Sequence, residues 1–177
     1  TAIDALTTSE VTMAAATVSI SDTGATKAQV DAVNAFTTGT VTPTSVTEDR
    51  ADITTLQGTT GISLSTTNIT VTDQVTKAQA DTINAYTTGV VVLNSSSMTV
   101  AELATVQALD DGEMKFADDG AISVSDAVTK ANADTINAYT TEQVTLTSVA
   151  DTVANITAID ALTTSEVTMA SASITVT

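Results

Sequence analysis

Apolar positions along the chain recur at two spacings. In three stretches they fall every third residue: Val30, Val33 and Phe36; Ala80, Ile83 and Tyr86; Ala133, Ile136 and Tyr139. Alanines fill adjacent positions, so each stretch carries one apolar face at helical spacing. Thr26, Thr76 and Thr129 stand where an N-cap is needed, and Gln29 and Gln79, three residues on, fit a capping box. The pattern predicts helices of about ten residues, too short to persist unless neighbours pack on them. Gly39 and Gly89 occupy the place of a left-handed residue after the helix, which Glu142 fills in the third stretch.

Between the helices the apolar pattern changes to alternation. Thr40 to Thr44, Val90 to Leu93 and Gln143 to Val149 are short β-branched runs that read as strands. A second set of helical stretches, SVTEDRADITTLQG, MTVAELATVQALDDG and SVADTVANITAIDALTT, begins at Ser45, Met98 and Ser148. Longer extended stretches accompany this set: EVTMAAATVSISD, GISLSTTNITVTD, EMKFADDGAISVSD and EVTMASASITVT. Small or turn residues interrupt each, predicting two strands joined by a bend; Asp118, Asp119 and Gly120 supply the most explicit turn. Asp22, Asp73 and Asp126 close these stretches and lead into the next helix.

The pattern repeats. TAIDALTTSEVTMA, residues 1–14, recurs unchanged at 157–170, an offset of 156. Within it lies a shorter period, marked by Lys27, Lys77 and Lys130, which are 50 and 53 residues apart. Each unit of about 52 residues divides into two halves of about 25. Short strand, short helix and short strand at fixed period predict an α/β repeat solenoid whose coils add rungs to parallel sheets. Strand spacing sets a rise of about 5 Å per coil, and about seven coils make a rod about 30 Å long. The expected organisation is a single array over 1–177: a partial unit 1–21, then units 22–72, 73–125 and 126–177. Three separate domains of about 52 residues are a weaker reading, because each buries too little apolar surface. The chain opens on Thr1 without Met and both ends cut across the repeat, so a piece of a longer array or a mature product is expected.

Composition sharpens the picture. The 177 residues include 40 Thr, 28 Ala and 15 Ser but only two Phe, two Tyr and no Trp, so apolar burial must come from many small contacts. With 42% apolar residues and a mean hydropathy of +0.23 the chain folds despite its net charge of −16. That charge makes nucleic acid and anionic membrane poor partners. Having neither Cys nor His, the chain lacks thiol nucleophiles, imidazole bases, disulfides and the usual zinc ligands. No apolar run of about 20 residues predicts membrane insertion, and no signal-peptide pattern is present.

Few side chains offer chemistry. Lys27, Lys77 and Lys130 each precede an acid by four residues, and on a helix these Lys-first pairs contribute a few tenths of a kcal/mol. A lysine column offsetting carboxylates of neighbouring coils is the sharper reading. Asn34, Asn84 and Asn137 share one repeated position and predict an amide ladder at the turn; Phe36, Tyr86 and Tyr139 predict an aromatic column stacked in the core. The acidic loops with Asp110, Asp111, Glu113, Asp118 and Asp119 are calcium candidates, since hard cations need several oxygens near a tight turn, although no EF-hand or GGxGxD pattern occurs. Otherwise no cofactor is expected. Thr-x-Thr triplets at Thr40, Thr70, Thr145 and Thr175 could rank hydroxyls as ice-binding solenoids do, or simply follow strand propensity. Carboxylate pairs suited to glycoside hydrolysis are not fixed by any motif, and no enzyme is expected.

The stretch 151–177, DTVANITAIDALTTSEVTMASASITVT, resembles Thr/Ala/Asp-rich repeats of giant secreted bacterial surface proteins, including cyanobacterial ones, of surface-layer or adhesin type. Asp151, Thr152, Ala154, Asn155, Ile156 and Leu162 carry the resemblance. It implies an extracellular or cell-surface array, often beside calcium-binding repeats that this chain lacks. The expected function is structural: part of a filament, sheath or surface layer built by head-to-tail association of copies, as a homopolymer or a longer repeat array. The alternative is an adhesin stalk or a solenoid binding calcium, carbohydrate or ice.

Overall fold

The computed structural model describes residues 13–109, 112–162 and 166–177. Within them the chain alternates short strands and short helices. The order is β1 (Val18–Ile20), α1 (Lys27–Asn34), β2 (Val41–Pro43), β3 (Ser45–Glu48), α2 (Arg50–Gly58), β4 (Asn68–Val75), α3 (Lys77–Asn84), β5 (Val91–Met98), α4 (Val100–Gln107), β6 (Met114–Val128), α5 (Lys130–Asn137), β7 (Val144–Asp151), α6 (Val153–Asp160), β8 (Val167–Thr168) and β9 (Ser173–Val176). The mixed α/β class expected from the sequence forms. A seven-stranded sheet runs β3-β4-β5-β6-β7-β8, with β9 also beside β7, and β1 pairs with β2 separately. Among the described residues every strand pairing is parallel, and strand order follows chain order.

Threonine begins most of the helices. Thr26, Thr76, Thr99 and Thr129 are N-caps, each in a full capping box closed by Gln29, Gln79, Glu102 and Asn132. Asp49 and Thr152 cap α2 and α6. The helices span eight or nine residues, shorter than the pattern predicted.

Their C-terminal ends correct the sequence reading. Gly39 and Gly89 are not left-handed caps: among the described residues only Gly24 and Gly61 have positive φ. The helices instead close on right-handed alanines, Ala35 and Ala85. Glycine serves a different need downstream, since a Cβ on Gly39 would strike the carbonyl of Ala16 and one on Gly89 the carbonyl of Thr67. Two backbones approach here closer than any side chain permits.

Register explains the long extended stretches. Paired residues lie from 21 positions apart, as Gln74 and Ser95, to 26, as Ser95 and Ala121. The first part of β4 pairs with β3 on one side and Val91–Leu93 on the other, whereas its last part pairs with Ser95 and Ser96. The ladder therefore climbs obliquely. Ala25, Val46, Ile69, Val91 and Met114 follow one another as partners, all buried, and Val75, Ser96, Ile122, Val144 and Val167 make a second such column. Each fully buried Val or Ile contributes about 1.5–3 kcal/mol, so the columns are a substantial part of the core. The expected bends form as turns in three of the four stretches, with Ala16 N on Met13 O, Thr67 N on Leu64 O and Ala172 N on Met169 O, whereas register shifts fall elsewhere, at Val71/Gln74 and Val124/Ala127, and between Leu93 and Ser95. Asp118, Asp119 and Gly120 lie in the last of these shifts, within β6, and do not end the strand.

The aromatic column does not form. Phe36, Tyr86 and Tyr139 sit at helix ends, half-buried, about two strand–helix passages apart and out of mutual reach. Tyr139 stacks instead on Phe116 of β6, with centroids 6.3 Å apart and planes 8° from parallel.

Candidate functional site

The side chains with specific chemistry lie where one strand–helix passage meets the next. The first set is acidic. The amide of Lys27 donates to Glu48 Oε1 (2.6 Å), Arg50 to Asp73 Oδ1 (2.8 Å), Val100 to Asp126 Oδ1 (2.9 Å) and Lys130 to Asp151 Oδ2 (2.8 Å). Each acid lies 21 to 26 residues beyond the helix whose first turn it caps. A carboxylate is favoured there by the free amides and by the positive end of the helix dipole. Asp73 and Asp126 fall within the register shifts of β4 and β6, so the extra bulge residues include the ones that cap. The Asp151 carboxyl is held below its ordinary value chiefly by the Lys130 amide, then by the Asn155 side chain and the Thr152 amide.

The second set is hydroxylic and was not foreseen from the sequence. Thr37 Oγ1 donates to Ala16 O, Thr87 Oγ1 to Thr67 O and Thr140 Oγ1 to Gly120 O, each at 2.6 Å. The same hydroxyls accept the amides of Gly39, Gly89 and Glu142. The next residues, Thr38, Thr88 and Thr141, hold the carbonyls of Ala14, Ser65 and Asp118 by both amide and hydroxyl. A Thr-Thr pair after each helix is therefore a staple to the preceding passage. The signal was available in the TTG, TTG and TTE sequences at residues 37–39, 87–89 and 140–142.

The lysine pairs form within helices: Lys27 Nζ to Asp31 (2.6 Å), Lys77 to Asp81 (2.5 Å) and Lys130 to Asp134 (2.5 Å). Lys27 is raised above its ordinary value, first by the bond to Asp31 and, more weakly, by the charges of Asp31, Asp52 and Glu48, while partial burial opposes the shift. No ion pair is recorded from these lysines to a neighbouring passage among the described residues, so their chemistry is mainly that of the i,i+4 pair. Asn34 Nδ2 donates to Thr60 O (3.2 Å), satisfying a backbone group at the turn as expected, but the asparagines are too far apart in the ladder to stack on one another. The positions 26 residues beyond Asn84 and Asn137, namely 110 and 163, lie outside the described residues.

Of the calcium candidates, Asp110 and Asp111 lie outside the described residues. Glu113, Asp118 and Asp119 are exposed, and the carbonyls of Glu113 and Asp118 already accept from Val91 and Thr141. Among the described residues no three acids gather as a metal site. The outward hydroxyls do align in part: Ser97, Ser123, Thr145 and Thr168 are successive ladder partners. They form a short rank, because the oblique ladder moves the next rank sideways.

Among the described residues the exposed large hydrophobic side chains gather at the end of the sheet, at α6 and β9. Val153, Ile174 and Val176 are 64%, 48% and 61% exposed. A cleft of about 430 Å³ beside them is lined by Ile156, Ile159, Leu162, Val167, Met169 and Ile174. No helix among the described residues is long and apolar enough to cross a membrane. No protein-family model, curated protein or solved structure matches the chain.

Proposed function

We propose that this chain is a structural element: a stretch of acidic α/β solenoid, with coils of about 25 residues, that belongs to an extracellular filament, sheath or surface layer. Parallel strands in chain order, oblique apolar columns and staples between successive passages all support that reading. It has no catalytic role, and its partners are copies of itself or further lengths of the same array. The open face at α6, β8 and β9 carries the argument. Residues 169–177 match 13–21 closely, and 13–21 are covered by the stretch 37–43: Val18 pairs with Val41, and Thr37 and Thr38 hold Ala16 and Ala14. The open face thus presents the chemistry that a further passage like 37–43, in a continuing length of the array, would cover, since each copy's own 37–43 is already held by its 13–21 and by Gly61–Ser63, and such stacking continues without closing.

Sedimentation and electron microscopy across a concentration series test this. The reading expects end-to-end oligomers that Ile174→Glu with Val176→Glu abolishes. Monodisperse particles at every concentration would remove self-association and leave only a segment of a longer array. The hydroxyl rank from Ser97 to Thr168 favours a second reading, a surface stalk that binds ice or carbohydrate, with calcium bound at the acidic loops as a further form of it. Ice-recrystallisation and calcium-titration assays separate these from the structural role.

A further inference from the structure

A rung of a parallel ladder is complete when a passage lies on each side of it. Among the described residues neither β1 nor β9 meets that condition. β1 pairs only with the strand that follows it, Val18 beside Val41, and β9 only with a strand that precedes it, Ser173 beside Ser148. Superposed, the two segments make one complete rung: 169–177 has the preceding partner, and 13–21 shows how the following one attaches. Their differences respect that attachment. Ala14 and Ala16 supply the carbonyls held by Thr38 and Thr37, and both are kept, as Ala170 and Ala172. Val18 and Ile20, which pack on the core, become Ile174 and Val176, so a methylene moves from one to the other and the summed volume is unchanged. The other changes, at 15, 17, 19 and 21, all fall on exposed residues.

We propose that two copies of this chain join by strand exchange: residues 169–177 of one copy take the place of 13–21 against 37–43 of the next copy, whose own 13–21 is released. The inference rests on the self-association reading above and names its partner surface. Exchange also removes the obstacle that each copy's 37–43 is already held. The bonds from Thr37, Thr38 and the β2 backbone are remade in kind, so the swap itself is close to neutral. The gain lies beyond them. Ile174 and Val176, 48% and 61% exposed, leave water, and α1 of the incoming copy comes to lie against α6 as α5 does within one copy. Asp22 of that copy then stands to the first amide of α6 as Asp126 stands to the Val100 amide of α4.

Paired cysteines in the full chain, which has none of its own, provide the test. Ser19 and Thr42 are ladder partners, so their Cα atoms lie about 4.8 Å apart, within disulfide reach. Ser19→Cys with Thr42→Cys therefore locks 13–21 in place, whereas Thr42→Cys with Thr175→Cys can close only between copies. The readouts are sedimentation velocity and non-reducing gels, with the reduced form of each variant as the control for folding. The proposal expects the oxidised lock to lower oligomer content about tenfold or more at equal concentration, reduction to restore it, and the second pair to link oligomers covalently. Oligomers undiminished in the oxidised lock, or oligomers that the second pair leaves unlinked, overturn strand exchange and leave end-to-end stacking without it. A parent chain that is monomeric at every concentration overturns exchange and self-association together.

Discussion

Residues 13–21 and 169–177, identical at three of nine positions and otherwise related by small swaps such as Val18 to Ile174, lie in two surroundings. Both make the same local turn, with Ala16 N bonded to Met13 O and Ala172 N to Met169 O, each at 2.9 Å. Both then run into a short parallel strand. Their burial differs: Ile20 is 8% exposed, whereas its counterpart Val176 is 61% exposed. Local sequence fixes the backbone path of such a segment, and the passage laid beside it decides whether its side chains contribute to stability. A ladder of this kind is stabilised by neighbours more than by any single element.

Truncating these matched positions should break the symmetry most visibly. Ile20→Ala should cost about 2–4 kcal/mol in urea denaturation, while Val176→Ala should stay within about 0.5 kcal/mol in the monomeric chain. Equal losses would mean that the two segments are covered alike.

Backbone contact sharpens the same contrast. Gly89→Ala should cost about 1–3 kcal/mol, because the added methyl meets the Thr67 carbonyl and cannot rotate away. Gly112→Ala should be nearly neutral, since nothing lies within 4 Å of its Cβ position. A full loss at both positions would point to chain flexibility and away from contact.

Ser96 tests the column itself. It occupies a place that Val46 and Val149 fill elsewhere, and its hydroxyl is buried without a partner. Ser96→Val should raise stability by about 1 kcal/mol or more, read as a higher urea midpoint.

The smallest expected effect is electrostatic. Because folding lowers the Asp151 carboxyl below its ordinary 3.8, its contribution is present above that pH and disappears as pH falls through the folded value. Asp151→Asn should therefore flatten the acid limb of the stability curve and converge with the parent at low pH. Lys27 behaves oppositely: folding raises it, so its contribution holds below 10.5 and fades as pH rises through the folded value.

Much of this was legible in the chain. Thr26, Thr76 and Thr129 announced their helices because an N-cap is a local event, and the Lys-to-Asp spacing of four announced its pairs for the same reason. The roles of Gly39, Thr87 and Asp73 were not legible. Each acts on a residue 20 or more positions away, and the register that brings them together is not encoded in either partner alone. Tyr139 was misplaced likewise, since its stacking partner Phe116 belongs to a strand with another spacing.

By itself, then, the sequence determined class, element order and caps, because periodicity and capping act within a few residues. Tertiary structure alone decided the oblique register, the carboxylates that serve another helix and the surface left open. These depend on which backbones lie about 4.8 Å apart, and in a parallel ladder that is settled by the fit of whole passages to one another.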